Sequence, residues 1–159
     1  MDARVVSIHV APGRRLPMKA LETVEAETGR GLVGDRYHGS KHRHVSVQAR
    51  DDLDEAQVLH GTAIPDAGTR RNITIDHGPV PSRPGERLRV GPVLLEVVRI
   101  AAPCKLLDDN LGPGAQGALR RRAGTIFRVL EGGPIVLGDA VAAEDVEDAP
   151  SDQRDRQPG

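Results

Sequence analysis

Val6, Ile8 and Val10 alternate with Val5, Ser7 and His9, and this period of two predicts a strand over residues 4–10. Val45 and Val47 carry the same signal, and a weaker strand is expected around Val24, followed by a loop rich in glycine and charge from Gly29 to Gly39. The pattern changes at Ala49. Asp51, Asp52 and Asp54 suit a helix N-terminus, and Leu53, Ala56 and Gln57 follow at helical spacing, so a helix should end before Gly61. Asn72 to Ile75 reads as a strand, and Arg87–Val90 and Val93–Ile100 as two more, separated by Gly91-Pro92. The near-continuous apolar run Val93–Ile100 is expected to be the most buried strand. A short helix is expected over Ala115–Arg122. Thr125–Leu130 and Ile135–Val141 should then form a hairpin turned by Glu131-Gly132-Gly133.

At least six short strands against two helices favour a mainly β fold, a closed or nearly closed β-barrel with a few short helices. A doubly wound α/β fold would need a helix after nearly every strand. The 159 residues fit one domain, taken as 1–145, and the polar stretch 146–159 is expected to be a disordered tail. No apolar run nears the roughly 20 residues that span a bilayer, and the N-terminus lacks a signal-peptide core, so a cytoplasmic location is expected.

Charge narrows the function. With 22 basic and 23 acidic residues the chain lacks the basic excess of a nucleic-acid binder. Tyr37 and Phe127 are the only aromatics, which argues against a base-stacking platform. A single cysteine, Cys104, excludes an intramolecular disulfide and a multi-thiolate zinc site.

Four segments hold candidate chemistry. Gly34-Asp35-Arg36-Tyr37-His38-Gly39 brackets an acid, a base and an imidazole between flexible glycines, and reads either as a surface turn or as part of a site. Lys41-His42-Arg43-His44 suits an anion such as phosphate. A zinc triad of His38, His42 and His44 is disfavoured by the basic residues between them. Arg70-Arg71-Asn72 precedes the Ile73–Ile75 strand, where alternation should send Arg70 and Asn72 to one side and Arg71 to the other, giving either a compact donor set or a charged strand end. Arg120-Arg121-Arg122 reads as a solvated helix face. Finally, Pro103-Cys104-Lys105 follows a strand. The neighbouring ammonium favours the thiolate, which can hold a soft metal or carry a persulfide, against the alternative of inert packing.

Taken in order, Gly34–Gly39, His44–Val47, Arg70–Ile73, Pro84–Gly91, Pro103-Cys104, Val129–Gly133 and Gly138-Asp139 resemble the landmarks of the MOSC domain family, named after the C-terminal domain of molybdenum cofactor sulfurase. The resemblance runs from about Val5 to Val141. It implies a MOSC-type β-barrel and a site for molybdenum cofactor (molybdopterin), or for sulfur on its way to it. In relatives such as the mitochondrial amidoxime-reducing components, the cysteine matching Cys104 ligates molybdenum, and residues matching Arg70 and Asn72 help to hold the cofactor. Arg36 falls at another basic contact of those relatives, and His42 and Arg43 fall near hydroxyl residues that bind the phosphate there.

The resemblance therefore implies a molybdenum-cofactor-binding protein that takes part in oxidoreduction of N-hydroxylated compounds. Cys104 is its metal ligand and catalytic residue, and Arg36, His42, Arg43, Arg70 and Asn72 are its cofactor contacts. The alternative is a sulfur carrier holding a persulfide on Cys104, and a third reading is a scaffold barrel with a buried thiol. The chain shows no pyridoxal-phosphate-dependent desulfurase domain and no flavin, haem or iron–sulfur motif. A separate cysteine desulfurase or electron-donor protein is thus the expected partner, with no nucleic acid and no membrane.

Overall fold

A computed structural model describes residues 2–103 and 105–144. Its elements in chain order are β1 (Ala3–Val10), β2 (Lys19–Leu21), β3 (Thr23–Glu27), β4 (Gly31–Leu32), β5 (Val45–Ala49), α1 (Arg50–His60), a 3-10 turn (Asp66–Thr69) and β6 (Ile73–Ile75). They continue as β7 (Arg87–Val90), β8 (Val93–Ile100), α2 (Lys105–Leu111), α3 (Ala115–Ala118), β9 (Thr125–Glu131), β10 (Gly133–Val136) and β11 (Ala140–Glu144). Both Cys104 and the tail expected from residue 146 lie outside the described residues.

Seven strands close into a barrel in the order β11-β7-β8-β9-β5-β6-β1, with β11 returning to β1 through Ala3↔Val141 and Arg4↔Ala140. Closure leaves the ring without an open edge, which explains how short strands suffice. β2 adds to the outside of β1, and β10, β3 and β4 form a separate small sheet. Val5, Val45, Val47, Ile73, Leu95, Val97 and Phe127 belong to the buried core of this barrel. A second apolar cluster joins Leu53 and Ala56 of α1 to Ile64, Leu107, Leu119 and Ala123. α1 is needed where it is: β5 and β6 pair in parallel, and parallel neighbours require a crossover. Gly61, at φ 85°, ends it as the sequence suggests, its N–H donating to Gln57 O at 2.8 Å.

Three expectations are corrected. The hairpin of residues 125–141 does not form: β9 pairs with β5 and β8, whereas β10 pairs with β3. Gly132 crosses from barrel to small sheet against the Ala26 carbonyl, where a Cβ would have no room, and Gly138 at φ 90° splits the second stretch into β10 and β11. The most buried strand is not β8, which ends exposed at Ile100; β5 is buried at all five residues and β6 at all three. On β5, Val45, Val47 and Ala49 join the barrel core while Ser46 and Gln48 are buried polar residues that bond to the segment 66–74. Helix content also differs: α2 was not expected, and α3 covers only Ala115–Ala118 of the helix expected over Ala115–Arg122.

Candidate functional site: an arginine-lined cleft

Four segments converge on a cleft of about 410 Å³. The loop after β1 contributes Ala11, Arg14 and Arg15; the segment before β5 contributes Asp35, Arg36, Tyr37 and Arg43; Thr69 to Asn72 line its floor; and Ala102, Leu106 and Leu107 form an apolar wall. Six of the described lining residues are arginines and one is an acid, so the cleft favours an anion.

Asn72 holds the floor together. Its Oδ1 accepts from the Ser46 N–H at 2.9 Å and the Ser46 hydroxyl at 3.1 Å, and its Nδ2 donates to His9 O at 3.0 Å and Asp35 Oδ1 at 3.2 Å. Both amide hydrogens are thus committed to the protein, so Asn72 lines the cleft as a brace. Asp35 is equally occupied, accepting from the Ala11 N–H at 2.8 Å and the Tyr37 N–H at 3.2 Å as well. These bonds tie the β1 loop, the segment before β5 and the start of β6 to one another.

Arg70 is placed by the turn before it. Thr69 donates to Gln48 Oε1 at 2.5 Å, and Gln48 Nε2 donates to Asp66 O at 3.0 Å and Thr74 Oγ1 at 2.9 Å. Arg50 grips the Asp66 carboxylate at 2.6 Å. Held this way, the turn ends with Arg70 in the left-handed region, φ 61° and ψ 30°, its N–H donating to Ala67 O at 3.1 Å. That kink breaks the expected alternation, because β6 begins only at Ile73. Arg70, Arg71 and Asn72 consequently all line the same cleft. Arg71 Nε donates to Ala123 O at 2.7 Å and anchors the floor to the strip between α3 and β9. The Arg70 guanidinium differs: its Nη2 is buried and has no acceptor among the described residues. A buried charged donor without a partner is costly, and an anionic ligand would satisfy it.

Arg36 and Arg43 both lie over the Tyr37 ring, at 4.5 and 4.2 Å from its centroid, which fixes two flat guanidinium groups beside the floor. Arg43 has its pKa lowered, first by burial, against Tyr37, and further by the charges of Arg99 and Arg36. His42, by contrast, is exposed and does not line the cleft. His44 is a structural clamp: its Nε2 bonds to Ser40 O at 2.7 Å and its Nδ1 accepts from the Val129 N–H at 3.0 Å. His38 bonds through Nε2 to Glu27 Oε1 at 2.6 Å. Among the described residues no group of three His, Cys, Asp or Glu side chains is placed to hold a metal ion. The sequence analysis assigns no site role to Arg14 or Arg15 and sends Arg71 to the other side of the strand; the consecutive pair Arg14-Arg15 in the loop after the first strand is the available signal.

Burial lowers the pKa of His44, against the Ser40 carbonyl that raises it, and burial also lowers that of His9, against Asp66. Each takes up a proton more readily unfolded than folded. Stability should therefore be greatest above the ordinary imidazole pKa, about 6.5, and fall as pH drops below it towards the lower folded values. Urea midpoints measured between pH 7.5 and 5.5 should decrease on acidification, with a smaller slope in His44→Gln.

No curated protein matches the chain by sequence. Solved structures do share its fold. The YUAD protein from Bacillus subtilis superposes with a TM-score of 0.78 at 16% identity, over 89% of this chain and 94% of that one. YiiM from Geobacillus stearothermophilus gives 0.71 at 17% identity, over 90% of this chain and 75% of that one. YiiM from Escherichia coli gives 0.67 at 18% identity, over 91% and 70%. A family model for the MOSC domain matches residues 34–142, from the Gly34–Gly39 loop through β11. The ordered sequence landmarks, the closed barrel and this match over more than half the chain agree: the protein belongs to the MOSC domain family.

Proposed function

We propose that the protein binds molybdenum cofactor in the arginine-lined cleft and takes part in oxidoreduction of N-hydroxylated compounds. The observation that carries this reading is the buried Nη2 of Arg70, without an acceptor among the described residues, in a cleft where Arg36, Arg43 and Arg71 stand beside it. A phosphate-bearing pterin supplies what that donor lacks, acceptor oxygens and negative charge. The residues present therefore fit the group. Arg70 would take a phosphate or pterin oxygen, Arg36 and Arg43 would neutralise charge beside it, and Asn72 would keep the floor in register. Cys104, two residues after the cleft-lining Ala102, would ligate the metal as the resemblance implies. Leu106 and Leu107 would exclude water along the apolar wall, which strengthens every ionic contact inside the cleft. When bound, the cofactor supplies two-electron oxygen-atom chemistry, and the protein supplies placement and charge. A separate electron donor would complete the cycle.

The test is elemental analysis together with intact mass, on protein purified from a host that makes the cofactor. Stoichiometric molybdenum is expected in the wild type, sharply reduced in Arg70→Ala and lost in Cys104→Ser. A gain of one sulfur on Cys104 with no molybdenum would overturn the reading in favour of a persulfide carrier loaded by a cysteine desulfurase.

A further inference from the structure

Arg14 and Arg15 occupy the turn Gly13–Leu16, closed by the Leu16 N–H donating to Gly13 O at 3.3 Å. Arg15 is the third residue of that turn and has φ 61°. A turn of this kind, with positive φ only at its third residue, favours glycine there, because a side chain crowds the backbone in the left-handed region. The chain places an arginine at that position instead. Arg70 and Arg121 break the same preference, at φ 61° and 62°, and of these three residues Arg15 and Arg70 line one cleft. Local strain of this sort is retained where it positions a side chain. Nothing else in the fold explains Arg14 and Arg15: both are exposed, and neither makes a hydrogen bond or ion pair with another described residue.

Charge points the same way. Asp35, the one carboxylate among the described lining residues, is bonded to three N–H donors. A phosphomonoester brings a charge of only about −2. Arg36, Arg43, Arg70 and Arg71 already exceed that, so the pair on the β1 loop is left over after the cofactor is counted. Given the cofactor reading above, on which this inference rests, we infer that Arg14 and Arg15 form an arm that binds an anionic group of the substrate, a carboxylate or phosphate, at the mouth of the cleft. The substrate class is then N-hydroxylated compounds bearing a negative charge. Arginine suits the role because its planar fork meets a carboxylate or phosphate with two parallel hydrogen bonds.

Isothermal titration with 4-carboxybenzamidoxime and uncharged benzamidoxime tests this, with molybdenum content measured in every preparation. Wild type should bind the carboxylated probe about tenfold more tightly at low salt, and the advantage should shrink as salt is added. In the Arg14→Ala/Arg15→Gly double variant the two probes should bind equally, with molybdenum content unchanged. Because Arg15→Gly relieves the positive φ, that variant should melt at or above the wild-type temperature, which separates a lost contact from a lost fold. A wild type that does not discriminate, or a double variant that keeps the preference, overturns the inference and leaves the cofactor reading intact. Wild type without molybdenum that still shows the arginine-dependent preference supports the arm and removes the cofactor reading.

Discussion

Asn72→Ala is expected to lower the unfolding free energy by about 3 kcal/mol, because the lost amide serves four hydrogen bonds in a buried setting. Ser46 and the His9 carbonyl are left with unsatisfied groups, and Asp35 loses one of its three donors. For a chain of 159 residues that corresponds to a melting temperature about 10 °C lower. Asn72→Asp sharpens the test, since it keeps the shape and changes only one atom and the charge. The new carboxylate would face Asp35 across the 3.2 Å now bridged by a hydrogen bond, and two carboxylates that close disfavour ionising together. Asn72→Asp should therefore be less stable than Asn72→Ala at pH 7, and the gap should narrow on acidification as one of the pair takes a proton. Urea unfolding at pH 7 and pH 5 measures both effects. Equal stability of the two variants at both values would show that the amide is not the brace described above.

The same residue shows what the sequence could and could not reveal. Asn72 was visible as a candidate because it follows two arginines, but its three partner residues come from β1, the segment before β5 and β5 itself, and spacing along the chain does not disclose such meetings. Strands were legible wherever alternation and a breaker coincide, as at Arg87–Val90, Gly91-Pro92 and Val93–Ile100. Which strand pairs with which was less legible: Glu131-Gly132-Gly133 has the composition of a hairpin turn, yet Gly132 is needed for a close crossing beneath Ala26. α2 was hidden because Asp108, Asp109 and Asn110 are poor helix formers, and its buried Leu107 packs into the cluster containing Leu53 and Leu119. Arg15 is not legible in the sequence because an arginine in a turn ordinarily reads as solvated, and only the fold brings it to the cleft.

Gly124→Ala should be the most damaging single methyl in the protein. Gly124 stands at φ 89°, and a Cβ there would be driven into the Val47 carbonyl oxygen and lie within 2.9 Å of its carbon and 3.1 Å of Gln48 Cα. Those are backbone atoms of β5, every residue of which is buried, so they have no side-chain freedom with which to retreat. Adding the left-handed angle to the overlap, the cost should be about 4 kcal/mol or more. The consequence reaches the cleft. Gly124 O accepts from the Ala101 N–H at 2.9 Å, and the neighbouring carbonyls of Ala102 and Ala123 receive the Arg71 guanidinium. Pushing Gly124 away from β5 therefore displaces the strip on which Arg71 is anchored. The expected result is low soluble yield at 37 °C and, for protein recovered at lower temperature, a greatly reduced urea midpoint. Gly117→Ala is the control, since no heavy atom lies within 4 Å of a Cβ built there and its φ is not positive. It should leave stability unchanged or slightly raised, because alanine is the better helix former. Should Gly124→Ala behave like Gly117→Ala, the close approach of β9 to β5 at this point would be wrong, and with it the anchoring of Arg71.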